Sequence, residues 1–128
     1  MAAWTQDELE RINDSDELEI AAARKNGGLR SPRPIWVVRV GDDLYVRAAY
    51  GSGSGWHRAA QASGRAHISA GGVQKDVAVE VADATANDQV DAAYRSKYGG
   101  RYASIVESIT GEEHRASTLR LMPAGATP

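Results

Sequence analysis

The sequence predicts a mainly β protein, an antiparallel barrel of six strands with short helices inserted. Three observations carry that prediction. Several short runs alternate apolar with polar residues, the period of a half-buried strand. The links Gly41-Asp42-Asp43 and Gly71-Gly72 have hairpin chemistry. No strand–helix–strand rhythm of a parallel sheet appears, and this many antiparallel strands in 128 residues favour a closed or partly closed barrel.

The elements follow in order, within a single domain spanning 1–128. Thr5-Gln6-Asp7-Glu8 is a capping box, with Trp4 and Leu9 at the hydrophobic-staple positions. It opens an N-terminal helix inside residues 1–14. Residues 17–23 set Leu18, Ile20 and Ala22 against Glu17, Glu19 and Ala21, so a first strand is expected there. A helix opening at Ser15 is the competing reading, since Glu, Leu and Ala favour helix. Arg30-Ser31-Pro32-Arg33-Pro34 cannot continue a central strand, because two prolines remove ladder donors. It is a bend or edge that delivers the chain into a strand over 34–40. A hairpin partner follows at 44–50. Gly51-Ser52-Gly53-Ser54-Gly55 is a loop able to wrap a ligand closely, and a short helix over 56–61 comes after it. Strands at 65–70 and 73–82 flank Gly71-Gly72. Asn87 or Asp88 caps a helix that Gly99-Gly100 stops. A second short helix over 102–109 places Ile105 and Ile109 at i, i+4. A strand at 117–122 closes the fold, with Leu119 and Leu121 inward, and 123–128 is a frayed tail.

Composition narrows the function. A net charge of −2 argues against a nucleic-acid surface. Without cysteine, disulfides, thiolate metal sites and cysteine nucleophiles are excluded. No apolar run approaches the roughly 18 residues of a membrane span. The first residues lack the basic start and apolar centre of a signal peptide, so a cytoplasmic protein is expected. Three scattered histidines have no metal-site spacing, and no metal is expected. No Gly-x-Gly-x-x-Gly, P-loop or nucleophile-elbow motif is present.

The run Trp36-Val37-Val38-Arg39-Val40-Gly41-Asp42-Asp43-Leu44-Tyr45-Val46-Arg47, followed by Gly51 and Trp56-His57-Arg58, resembles a known pattern. So does Asp91-Ala92-Ala93-Tyr94-Arg95-Ser96-Lys97-Tyr98. Together they resemble a small bacterial family of unknown function in the split β-barrel flavin-binding superfamily. Pyridoxamine-phosphate oxidases and deazaflavin-dependent nitroreductases belong to that superfamily. The resemblance covers about residues 4 to 123. It implies a dimeric split barrel holding FMN or a deazaflavin of the F420 type in a groove shared between subunits. It implies no activity for the small family itself. The oxidases place a serine and then promptly a basic residue after the second hairpin strand, for the flavin phosphate. Here the basic residue waits until Arg58.

The candidate cofactor-binding residues are Arg47, Ser52, Ser54, Trp56, His57, Arg58 and Lys75. A guanidinium can hold a phosphate through two parallel hydrogen bonds, which suits Arg47. Its alternative is a strand arginine paired with Asp76 or Glu80. Ser52 and Ser54 add hydroxyls and open N–H groups at a helix start, against the alternative of a plain surface loop. Trp56 is a ring surface, more often core or dimer contact than a cofactor stack. His57 lacks a carboxylate at fixed spacing and is weak evidence for acid–base work. Lys75, from the neighbouring hairpin, completes the charge balance. Tyr94, Lys97 and Tyr98 read as core packing with a snorkelling lysine. Two functions compete: an oxidoreductase or carrier in which a flavin or deazaflavin does the chemistry, and a cofactor-free dimeric barrel with a small anionic ligand or a structural role. No nucleophile–base pair is legible, so a hydrolase or transferase comes last.

Overall fold

The computed structural model describes residues 4–24, 28–48 and 55–123. Seven strands form one fully antiparallel sheet: β1 (Leu18–Ala22), β2 (Arg33–Ile35), β3 (Val38–Val40), β4 (Asp43–Val46), β5 (Arg65–Ala70), β6 (Val73–Val81) and β7 (Leu119–Pro123). Their order is β2-β1-β5-β6-β7-β4-β3. Among the described residues five α-helices accompany it, α1 (Gln6–Asp14), α2 (Gly55–Ser63), α3 (Asn87–Tyr98), α4 (Ala103–Ile109) and α5 (Glu112–Arg115), with a short 3-10 turn at Ala84–Ala86.

The seventh strand is a correction to the six read from sequence. The single run expected at 34–40 is two strands serving opposite edges of the sheet. Ile35 pairs with Leu18 on β1, whereas Val38 pairs with Tyr45 on β4. Trp36 and Val37 lie between and join neither ladder. The polar groups of Val37 are satisfied elsewhere: its N–H donates to the Tyr98 hydroxyl at 3.3 Å, and its carbonyl accepts from Lys97 Nζ at 2.8 Å. This break also dictates the overall shape. Ile35 and Val38 are three steps apart, and an extended chain covers at most about 11 Å in that distance. The two outermost strands therefore lie close together, and the sheet curls into a half-barrel, a split-barrel architecture.

Local sequence explains the helices. Thr5 caps α1 as its side chain predicts: Thr5 Oγ1 accepts from the Glu8 N–H at 3.1 Å, and the Thr5 N–H donates to Glu8 Oε1 at 2.9 Å. Trp4, Leu9 and Ile12 are buried in the barrel interior beside Leu18, Ile20, Ile68 and Leu121. The Trp4 indole N–H donates to the Leu121 carbonyl at 3.0 Å. Gly71 and Gly72 have φ of 57° and 83°, the left-handed pair that a two-residue hairpin requires. A Cβ on Gly71 would stand 2.3 Å from the Arg11 carbonyl oxygen, so this hairpin fits only as glycine against the end of α1. A second apolar cluster, Val38, Tyr45, Val90, Tyr94, Tyr98, Val106 and Ile109, joins α3 and α4 to the β3–β4 hairpin.

The expected strand at 17–23 is β1, and the helical alternative falls. The strand expected at 44–50 is seen as Asp43–Val46, with 49 and 50 outside the described residues. The strand at 73–82 ends at Val81, which is exposed although Val77 and Val79 are buried. The strand at 117–122 begins at Leu119, because Ser117 and Thr118 are turned inward to hydrogen-bond Ala48 and Arg47. In α4 the buried pair is Val106 and Ile109, not Ile105 and Ile109; Ile105 is 46% exposed. The helix α5 was not expected from sequence. No described helix is long and apolar enough to cross a membrane.

Candidate functional site

A cavity of about 730 Å³ opens beside the β1–β2 edge of the sheet, within the range of small-molecule sites. The β1–β2 segment supplies Arg24, Arg30 and Arg33, and Trp36 follows directly after β2. The start of α2 supplies Gly55 and Trp56, and α4 supplies Ile105 and Ile109. Glu17 is the one carboxylate among the lining residues.

The residues build this site for identifiable reasons. Pro34 sits in β2, an edge strand, where a missing N–H costs no ladder bond. Pro32 and Pro34 bracket Arg33 and fix its backbone. The Arg30 N–H donates to the Ala22 carbonyl at 2.9 Å, which anchors that residue to the end of β1. A Cβ on Gly55 would lie 3.1 Å from Arg30 Nη2, so the guanidinium rests against the first residue of α2. Trp36 is held flat: its ring stacks on Tyr98 with centroids 4.0 Å apart and planes within 3°. Tyr98 is locked in turn, because its hydroxyl donates to the Asp16 carbonyl at 2.8 Å. Burial pushes the Tyr98 phenol well above its ordinary value. The neighbouring Lys97 is pushed down to about 8 by burial.

Arg47 also lines the cavity, at the inner end of β4, yet it is 1% exposed and fully engaged. Its Nη1 meets Asp91 Oδ1 at 2.5 Å and the Ile109 carbonyl at 3.0 Å; its Nε donates to Thr118 Oγ1 at 2.8 Å. Its Nη2 donates to the Asn87 carbonyl at 3.2 Å, and its face lies 5.5 Å from the Tyr94 ring. The pairing anticipated with Asp76 or Glu80 is corrected. Asp76 instead bonds His67, and Glu80 bonds Arg120, while Asp91 reaches Arg47 from α3.

The structure therefore brings Arg47 and Trp56 to one cavity, and His57, Arg58 and Lys75 are not among its lining residues. Ser52 and Ser54 lie outside the described residues. His57 is buried on the inner side of α2. Its Nε2 lies 2.9 Å from the Ser117 carbonyl, which can only accept, and its Nδ1 is buried without a hydrogen-bond partner among the described residues. Arg58 is exposed on α2 and is not among the lining residues. Lys75 forms an ion pair with Glu8 on α1, away from the cavity, and holds the Glu8 carboxyl below its usual range. The anticipated convergence of Arg47 with Arg58 on one wall does not occur, since α2 turns Arg58 outward. No three His, Asp or Glu side chains among the described residues stand together to hold a metal ion.

Sequence reasoning missed Arg24, Arg30 and Arg33 as site residues. A signal was present: residues 23–34 contain no acid at all beside three arginines and a lysine. Among the described residues no carboxylate pairs with any of those three arginines.

A family model described as an uncharacterized protein conserved in bacteria (DUF2255) matches residues 8–121. The chain belongs to that family. No curated protein matches it. Among solved structures it is similar to a conserved hypothetical protein of Mycobacterium tuberculosis. The two share 11% identity over 98% of this chain and 82% of that one, with a TM-score of 0.62. It is similar to an FAD and heme binding protein of Mycobacterium smegmatis, at 20% identity over 94% and 67% of the two chains and a TM-score of 0.56. It is also similar to an F420 reductase, at 13% identity over 91% of this chain and 92% of that one and a TM-score of 0.50. At these identities the likeness is one of fold.

Proposed function

We propose that this member of the family binds a flavin-type cofactor, a flavin or a deazaflavin, in the arginine-lined cavity and serves redox chemistry on a small molecule. The observation that carries the reading is the lining itself. Three arginines with no carboxylate partner among the described residues share one cavity with two tryptophans. Guanidinium groups suit phosphate and carboxylate, and indole rings suit a planar heteroaromatic system. The cavity volume accommodates such a molecule. The fold likeness to an FAD and heme binding protein and to an F420 reductase supports the same class of ligand.

In this reading Arg30 and Arg33 hold the anionic part, Trp36 and Trp56 offer ring surfaces, and Ile105 and Ile109 exclude water. Arg47 fixes the wall from behind by clamping Ile109, Asn87 and Thr118. The cofactor, when bound, supplies hydride or electron transfer, and the protein's part is binding, orientation and electrostatics. A second copy of the chain completes the unit in this reading: Leu29 and Ile105 are 50% and 46% exposed, apolar side chains of the kind that a two-fold partner covers. Sedimentation at micromolar concentration should show the dimer; monomer alone would remove that part of the proposal. A cytoplasmic location fits cofactor chemistry of this kind.

Titration of the purified protein with FMN, FAD and F420, followed by visible difference spectra, tests the cofactor reading. Saturable binding of at least one at micromolar concentration is expected. Failure of all three would leave the cofactor-free barrel with a small anionic ligand.

A further inference from the structure

We propose that Arg24, Arg30 and Arg33 select a ligand carrying at least two separated anionic groups, such as a diphosphate or a phosphate followed by carboxylates, over one with a single phosphate. The proposal rests on the cofactor reading above and narrows it to polyanionic forms of that ligand.

The ladder sets the arrangement. Leu18 faces Ile35 and Ile20 faces Arg33, while Arg30 is bonded back to Ala22. Passing along the strand pair, one meets Glu17 beside the Trp36 end, then Arg33, then Arg30, then Arg24. The only lining carboxylate thus stands at the opposite end of the strand pair from the arginine row. Arg30 and Arg33 are three residues apart, so their backbone anchors lie up to about 10 Å from one another. Ala23 pairs with Leu29, which sets Arg24 two positions past Ala22, so its anchor extends the row by about a further 7 Å. Two arginines suffice to hold one phosphate through paired hydrogen bonds. The third, displaced along the row, needs an anion of its own.

Two further features show that the spacing is built in. Pro32 and Pro34 fix the backbone on both sides of Arg33, so the point from which its side chain extends is set before any ligand arrives. Stretch 23–34 contains no acid that could neutralise the row from within. The Trp36 ring, pinned by Tyr98, lies at the end remote from Arg24. A ring system against Trp36 would direct its anionic tail along the row.

The test compares ligands whose tails carry none, one or more than one anionic group, with free phosphate and pyrophosphate as the comparison free of any adenosine. Riboflavin, FMN and FAD are titrated by fluorescence quenching, as are F420 and the same deazaflavin without its phosphate and acid tail. Phosphate and pyrophosphate are titrated by calorimetry. Parent, Arg30→Ala, Arg33→Ala and Arg24→Ala are used, with melting curves confirming that each variant is folded. FAD is expected to bind at least tenfold tighter than FMN, F420 at least tenfold tighter than its tail-less form, and pyrophosphate at least tenfold tighter than phosphate. Arg24→Ala should reduce those ratios severalfold while leaving FMN affinity nearly unchanged. If no flavin or deazaflavin binds but pyrophosphate retains its preference and loses it in the variants, the row stands and the cofactor reading falls. If FMN binds as tightly as FAD, or the preference survives in all three variants, the row proposal falls while the cofactor reading stands. Indifference to every anion tested overturns both.

Discussion

Two sets of arginines on one cavity behave in opposite ways. Arg47, at the end of β4, is sealed from solvent and spends its donors on Asp91, Thr118, Ile109 and Asn87. Arg24, Arg30 and Arg33, on the β1–β2 edge, are exposed and have no carboxylate partner among the described residues. Residue type is shared; the elements behind each differ. Behind Arg47, α3 delivers an aspartate and α4 delivers a carbonyl. Beside the edge strand the one lining carboxylate, Glu17, pairs with none of the three among the described residues. An arginine is available to a ligand only where the fold has not already satisfied it.

The largest effect separating the two sets should be on stability. Arg47→Ala leaves Asp91 as a buried carboxylate without its strongest partner, and Asp91→Ala leaves the reverse. Each should cost about 3–5 kcal/mol in urea denaturation, because a buried charge is stranded. Arg47 is therefore a residue on which the fold depends, and its alanine variant tests packing before it tests ligand binding. Should Arg47→Ala unfold at the parent's urea concentration, the contrast drawn here is broken.

The edge arginines should show the opposite pattern. Arg30→Ala or Arg33→Ala removes a charge-assisted contact worth about 1.5–3 kcal/mol in binding. That corresponds to a roughly ten- to hundredfold weaker flavin dissociation constant. Melting temperature should barely move, since exposed substitutions without partners usually stay within about 0.5 kcal/mol. Isothermal titration and a melting curve on the same preparation decide it.

Lys97 is an intermediate case that sharpens the comparison. It is half-buried and donates to the Val37 carbonyl rather than to a carboxylate. Burial lowers it to about 8, whereas the unfolded chain has the usual 10.5. Between those values the unfolded chain binds more protons than the folded one, so this group's contribution to stability rises as pH climbs through that window. Tyr94 and Tyr98, both raised by burial, act in the opposite sense once pH exceeds about 10, where unfolded tyrosines ionise. Urea midpoints taken between about pH 8 and 9.5 should thus have a shallower upward pH trend in Lys97→Met than in the parent. Identical trends would show that Lys97 keeps its ordinary proton affinity.

How much of this was legible in the sequence depends on the range of the interaction that decides it. The Thr5–Glu8 capping box, the Gly71-Gly72 hairpin and the burial of Leu119 and Leu121 are settled within a few residues, and all were readable. The break at Trp36 and Val37 was not. It depends on which sheet edge each half of 34–40 joins, and those partners are Leu18 and Tyr45. The fate of Arg47 was equally hidden, because Asp91 is 44 positions away. The arginine row was present as an acid-free run but was read as a bend, since its prolines drew attention to backbone shape. Lys75 looked free in sequence and is engaged by Glu8. Nothing near either residue announces that pairing.

The most direct test of the central claim, that the open arginines rather than the sealed one hold the ligand's charge, is a flavin titration of the Arg30→Ala/Arg33→Ala double variant beside the parent. Visible difference spectra are recorded against FAD, with a melting curve for each protein. The parent should saturate at micromolar FAD, and the double variant should bind at least a hundredfold more weakly with its melting temperature unchanged. Equal affinity in the two proteins, for FAD or for F420 where that is what the parent binds, would contradict it.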